Sequence, residues 1–275
     1  MKLPLFLLCV SVILTPLYGT VDFQAENVQE SRFKESRNIF ELCKKNIRYY
    51  QLSPDQSHHD ITEMLLMSPD VAEKHKSMIS QQERHIVVFD YPSDGHTVKG
   101  YISYTPEYKR APLLVFLRGG NRILGLMNPA NDFSLAKDYT VLATTYRGGM
   151  NEGQDEFGGD EVDDVENLVR FIPKLESMLQ MEFTPEKKCI LGGSRGGMEM
   201  FLALERSPFL QKYFDKAIAL SGPMDLSITI CSRQDMKTMF IRDFGLTLDE
   251  HADQWLSYRS PIHHCSLLRT CLKSF

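Results

Sequence analysis

Six consecutive residues, Gly192-Gly193-Ser194-Arg195-Gly196-Gly197, contain the spacing G-x-S-x-G. This spacing marks a serine set on a strained turn between a strand and a helix, its hydroxyl lifted clear of a sheet. Side chains two positions before and after such a serine collide with neighbouring backbone, which explains Gly192 and Gly196. The N-terminus of the following helix points at the site and favours a developing oxyanion. The bland alternative is a glycine-rich turn with an idle serine. A second stretch, Arg118-Gly119-Gly120-Asn121-Arg122, follows an apolar run. Acyl transfer needs two backbone N–H donors for its tetrahedral intermediate. One comes from the residue after the nucleophile, here Arg195, and the other from the loop after an earlier strand, where Gly119 and Gly120 permit close approach.

Such a serine has to be held by a particular alternation of elements. His85 to Tyr91 and Val98 to Tyr104 are β-favouring runs separated by Pro92-Ser93-Asp94-Gly95, a hairpin pattern. Pro112 to Leu117 and Val141 to Tyr146 are short continuous apolar runs, expected as strands buried on both faces. Residues 123–137 supply a crossover. Glu161 to Leu179 has helical apolar spacing, with Pro173 expected to kink or divide it. A strand at Lys188 to Leu191, a helix from Arg195 to about Glu205 and a strand at Lys216 to Leu220 follow. The alternation predicts a doubly wound, mostly parallel α/β sheet with a hairpin lead-in, reactive groups gathering at the carboxyl ends of its strands. Upstream, helices are expected around Ile39 to Tyr49 and Ile61 to Met67, punctuated by Ser53-Pro54 and Ser68-Pro69-Asp70.

The 275 residues allow one sizeable core, and 43% hydrophobic content argues against disorder. A net charge of -5 without a basic stripe argues against nucleic acid as a partner. Met1-Lys2, the apolar Leu3 to Tyr18 and the small Gly19 and Thr20 predict a secretory signal peptide over residues 1–20, hence a secreted or periplasmic product. A membrane anchor is the rival reading, although the stretch is short for a bilayer core and contains Pro16. After cleavage no stable membrane span is expected. Cys9 falls in the leader, and the other five cysteines have no metal-ligand spacing, leaving room for one disulfide but not a disulfide scaffold. The acidic run Asp160 to Glu166 lacks a cation-loop pattern and is expected as the first turn of a helix. No metal is expected.

RGGNR at 118–122, YRGG at 146–149, DEFGGDEVDDVENL at 155–168, GGSRGGM at 192–198 and SPIHH at 260–264 together resemble the prolyl-oligopeptidase-type serine peptidases, especially their stand-alone hydrolase domains. The resemblance covers roughly residues 85 to 264. It implies an α/β-hydrolase fold that cleaves peptide or ester bonds through an acyl-enzyme on Ser194, with no cofactor. The expected organisation is a leader (1–20), a helical extension (21–84) and a hydrolase domain (85–275). The chain departs from the family in three ways. No β-propeller is expected in these residues, and Gly193 stands where a bulkier residue is more usual. After SPIHH the last two strands, with the loops bearing the catalytic acid and histidine, are expected to be missing, leaving Lys216 to Leu220 as a sheet edge unless something covers it. Asp225, just past that strand, is a candidate acid, with a turn or cap role as its alternative. Candidate bases are His251, His263 and His264, the last two in a segment that is structural in the family. Residues 226–259 are a candidate cap over the site. Two functional readings stay open: a serine-type peptidase or esterase, and a hydrolase-fold chain without activity or with a binding role only.

Overall fold

A computed structural model of the chain describes residues 6–10, 38–130 and 138–268. Eight strands form one sheet: β1 (Phe6–Val10), β2 (His58–Asp60), β3 (His85–Ser93), β4 (His96–Tyr104), β5 (Leu113–Leu117), β6 (Thr140–Thr144), β7 (Lys188–Gly193) and β8 (Lys216–Leu220). Their spatial order is β1-β8-β7-β5-β6-β4-β3-β2, with β1, β8, β7, β5 and β6 mutually parallel and β4, β3 and β2 added antiparallel. The fold is the α/β-hydrolase fold. Asp94 and Gly95, both at positive φ, close the hairpin in two residues, a turn whose twist matches the strands it joins.

Alternation along β3 divides the core between the two faces of the sheet. Val87, Phe89 and Tyr91 pack with α4 (Asp163–Leu179) and α5 (Arg195–Arg206), while Ile86 and Val88 face the N-terminal region. On that second face α1 (38–46), α2 (Thr62–Met67) and α3 (Glu73–Gln81) contribute Cys43, Leu65 and Ile79 to one cluster with Tyr101 and Ala143. The stretch set apart by sequence as an extension thus covers the sheet, and His58–Asp60 within it supplies a strand the sequence reading lacks. Residues 21–37 lie outside the described residues.

The strands otherwise fall within two residues of expectation. Pro173 sits inside an unbroken α4, so the expected division does not occur. A 3-10 turn at Asp160–Val162 precedes this helix. After α6 (Pro208–Tyr213) and β8 come α7 (Leu226–Ser232), α8 (Gln234–Phe244) and α9 (Ala252–Tyr258). The outer edge of β8 is covered: Phe6–Val10 pairs with Lys216–Leu220 in parallel. Those five residues fall within the segment read as a leader, whose remainder lies outside the described residues, as do 131–137 of the crossover and 269–275. Cys43 and Cys189 are buried free thiols, and Cys231 and Cys265 are exposed and free.

Candidate active site

β5 and β7 are neighbours in the sheet, with Leu117 opposite Gly192, so the segments leaving their carboxyl ends emerge side by side. That adjacency brings together two loops that are distant in sequence. Ser194 sits between β7 and α5 at φ 53° and ψ -126°, a backbone conformation that side chains disfavour. The turn is pinned at both ends, Ser194 N donating to Leu220 O at 2.7 Å and Gly197 N to Ser194 O at 2.9 Å. Ser194 itself is exposed.

The glycines expected to make room do so. A Cβ on Gly192 would lie 2.0 Å from Gly196 O, and one on Gly196 2.0 Å from Leu117 O. Gly119 approaches from the β5 loop so closely that a Cβ there would meet Ser194 Cβ at 3.0 Å. Gly120 takes φ 73°, and a Cβ on it would strike Leu124 O at 2.1 Å. The structure therefore joins Ser194, Arg195, Gly119 and Gly120 into one site. Around Gly193, by contrast, a Cβ would meet nothing within 4 Å, so space alone does not demand glycine there.

The Arg195 side chain turns away from the cleft and is 1% exposed. Its guanidinium donates to Asp155 Oδ2 at 2.8 Å, Glu161 Oε1 at 2.6 Å, Glu199 Oε1 at 2.8 Å and Gly120 O at 3.1 Å. Burial opposes its charge, but Asp155, Glu199 and Glu161 hold its pKa well above the usual arginine value. Burial likewise works against the Asp155 carboxylate, and Arg195 overcomes it, keeping that pKa below the ordinary range. Glu199 differs. Burial pushes it up to about 8 against the pull of Arg195, and its Oε2 has no hydrogen-bond partner. Arg118, also buried, ties its own loop together through the carbonyls of Gly119, Arg122 and Leu124 and reaches Thr145 O at 2.8 Å.

The acid and base candidates are elsewhere engaged. Asp225 Oδ1 accepts from Ser227 N at 2.8 Å and Ile228 N at 3.1 Å, capping α7, which is the alternative role considered for it. His251 is exposed, 3.8 Å from Glu250. His264 Nε2 lies 3.1 Å from Ser257 O, and His263 closes a 3-10 turn at Pro261–His263. Among the described residues none of the three histidines hydrogen-bonds Ser194 or Asp225.

The acidic run does more than begin a helix. Asp164 is fully buried and accepts from Arg147 N at 2.6 Å, Arg147 Nε at 2.9 Å and Ser93 Oγ at 2.6 Å. Helices α7, α8 and α9 stand where a cap was expected. Phe240 packs on Phe157 with ring centroids 5.0 Å apart, and Arg122 Nη2 reaches Asp243 O at 2.7 Å. A cleft of about 560 Å³ opens between this cap and the loops bearing Arg122 and Asp155. A larger one, about 1010 Å³, lies by Arg84 and Thr140 at the opposite, amino end of β6. Sequence reasoning missed Asp155, Glu161 and Glu199 as supports of the site. The available signal was a glutamate at 199 inside the otherwise apolar helix MEMFLAL.

No family model matches the chain. A curated relative, the uncharacterized peptidase YtmA of Bacillus subtilis, is 26% identical over 194 residues, spanning 70% of this chain and 72% of that protein. Among solved structures, acylaminoacyl peptidase of Pyrococcus horikoshii is similar with TM-score 0.48 and 19% identity, over 67% of this chain and 30% of that one. Prolyl oligopeptidase B of Galerina marginata has TM-score 0.49 and 19% identity, over 66% and 26% respectively. For a mutant of the esterase LipA of Xanthomonas oryzae the TM-score is 0.46 and the identity 15%, over 69% and 63%. The chain thus spans under a third of the length of the two solved peptidases. With its elbow carried on this sheet order, the chain has the α/β-hydrolase fold and is similar in sequence to a curated peptidase.

Proposed function

We propose that the chain is a serine hydrolase that cleaves peptide or ester bonds through an acyl-enzyme on Ser194. The observation that carries this reading is the backbone of Ser194, held at φ 53° with Gly119 against it. A strained residue at a strand–helix turn is retained where it serves chemistry. In the reaction, Ser194 Oγ bonds to the substrate carbonyl carbon as a general base takes its proton, and the oxygen becomes negative. Backbone N–H groups of Arg195 and of the Gly119–Gly120 loop stabilise that oxygen. Collapse expels the amine or alcohol with the proton, and water then releases the acid by the same steps in reverse order.

A second reading, a hydrolase fold that keeps its elbow without turnover, is favoured by one specific observation. The carboxylate of Asp225 caps a helix, and no imidazole among the described residues bonds Ser194. Treating the purified chain and its Ser194→Ala variant with a fluorophosphonate probe separates the two, because the probe reacts only with an activated serine. Covalent labelling that disappears in Ser194→Ala is the expected result. Absence of labelling in a folded sample would retire the hydrolase reading in favour of the second. We also propose export, which N-terminal sequencing of the product recovered outside the cytoplasm would test. An N-terminus at Met1 would overturn a cleaved leader.

A further inference from the structure

Arg195 enters the reading above through its backbone N–H alone. Its side chain makes a separate connection. The guanidinium Nη1 holds Gly120 O at 3.1 Å and Asp155 Oδ2 at 2.8 Å, and the same Asp155 oxygen accepts the backbone N–H of Arg122. Arg195 thus grips, directly at Gly120 and through Asp155 at Arg122, the two residues that bracket Asn121 in the loop after β5. Its own Cα opens the helix after Ser194. One side chain therefore spans the two loops that must supply the converging donors.

We propose that the Arg195 side chain, acting through Gly120 O and Asp155, is a positioning residue that fixes the distance between the oxyanion loop and the nucleophile elbow. The proposal rests on the Ser194 reading for its kinetic consequence, but not for the clamp itself. Two features favour a positioning role over mere filling of the core. First, the loop has a rival internal brace in Arg118, which bonds only carbonyls of its own loop and Thr145, so nothing in that brace refers to Ser194. Second, the surroundings are overdetermined. Asp155, Glu161 and Glu199 all point at one guanidinium, with the rings of Phe157 and Tyr146 4.7 Å and 5.4 Å from its Cζ. A cation held from so many directions has little freedom, and small displacements in an oxyanion hole are costly to rate.

Three variants of the full chain test this. Arg195→Lys keeps the charge but cannot reach Gly120 O, Asp155, Glu161 and Glu199 together. Asp155→Asn weakens the loop side of the clamp. Arg84→Gln disturbs a comparably buried guanidinium at the far end of the sheet, where it bonds Ser103 and Tyr139 carbonyls, and controls for general destabilisation. Fluorophosphonate inactivation is resolved into probe affinity and maximal rate, and amide exchange is followed at Arg122, Leu124 and Leu126. The expected result is a maximal rate at least about tenfold lower in Arg195→Lys and Asp155→Asn at nearly unchanged affinity, less than the roughly 10²–10³-fold loss when a donor is removed outright. Faster exchange at those three amides accompanies it, with neither change in Arg84→Gln. Unaltered exchange in both clamp variants would overturn the proposal. So would a rate loss matched by Arg84→Gln. If the wild-type chain is not labelled at all, the Ser194 reading fails, and the exchange measurement alone still decides the clamp.

Discussion

A Cβ on Gly192 or Gly196 would stand 2.0 Å from backbone oxygen, whereas one on Gly193 would stand in open space. These three glycines of one turn therefore answer differently to the same change. Gly193→Ala is expected to preserve Ser194 labelling and to raise stability by about 0.4–1 kcal/mol through the unfolded chain, read from thermal unfolding. Gly192→Ala is expected to force the two arms of the elbow apart, and Gly196→Ala to push the start of α5 off the end of β5, each abolishing labelling. Ser194 is the opposite case, a side chain where glycine would be at ease. Ser194→Gly should melt higher than Ser194→Ala, by on the order of 1 kcal/mol, because only the glycine relieves the positive φ. This much of the site was legible in sequence, since the steric demands of an elbow are local. The support around Arg195 was not, because Asp155 and Glu161 lie 40 and 34 positions away and acquire their meaning only through burial.

Helix α5 follows the nucleophile and is buried along nearly its whole length, yet it carries Glu199 and Glu205. Neither Glu205 oxygen has a hydrogen-bond partner, and burial pushes its pKa up to about 8, far above the value of 4.5 it has when solvated. The folded chain therefore keeps a proton that the unfolded chain releases. This contribution is complete below pH 4.5, declines as pH rises and is exhausted above about pH 8. Glu205→Gln cannot titrate, so it should flatten that decline. After discounting for partial access of solvent, a gain on the order of 1–2 kcal/mol near pH 8 is expected from denaturant melts across pH 5 to about 9. Elements with strong periodicity, α4 and the strands from β3 to β8, were readable from their residues. The cap helices α7, α8 and α9 were not, being short and held by aromatic contacts such as Phe240 with Phe157 rather than by any repeating pattern. Asp225 is the exception: its place after β8 and a cap role were both readable, and the structure settles on the cap of α7.

Across the whole molecule, the residues before β3 and the hydrolase sheet share one core, so they should melt together. Leu65→Ala, in a fully buried position among Tyr49, Ile79 and Val88, is expected to cost about 2–5 kcal/mol. The transition should remain single by both near-UV and far-UV circular dichroism. A separate early transition would mark the N-terminal region as an independent unit, the division its polar, punctuated sequence suggested. The fold class was legible because strand and helix alternate, while the covering of one face by 38–84 was not, since short helices advertise no partner. The sheet order has a further consequence for how the protein is made. β5 leaves the ribosome long before β7, yet its final place is between β6 and β7, and the two halves of the site meet across a separation of 75 positions. No hairpin or local nucleus can assemble that pair, so reactivity at Ser194 should return late on dilution from denaturant, behind the recovery of helical signal. In the nascent chain the loop of Gly119 and Gly120 waits without a serine beside it, and half-made copies carry no latent chemistry.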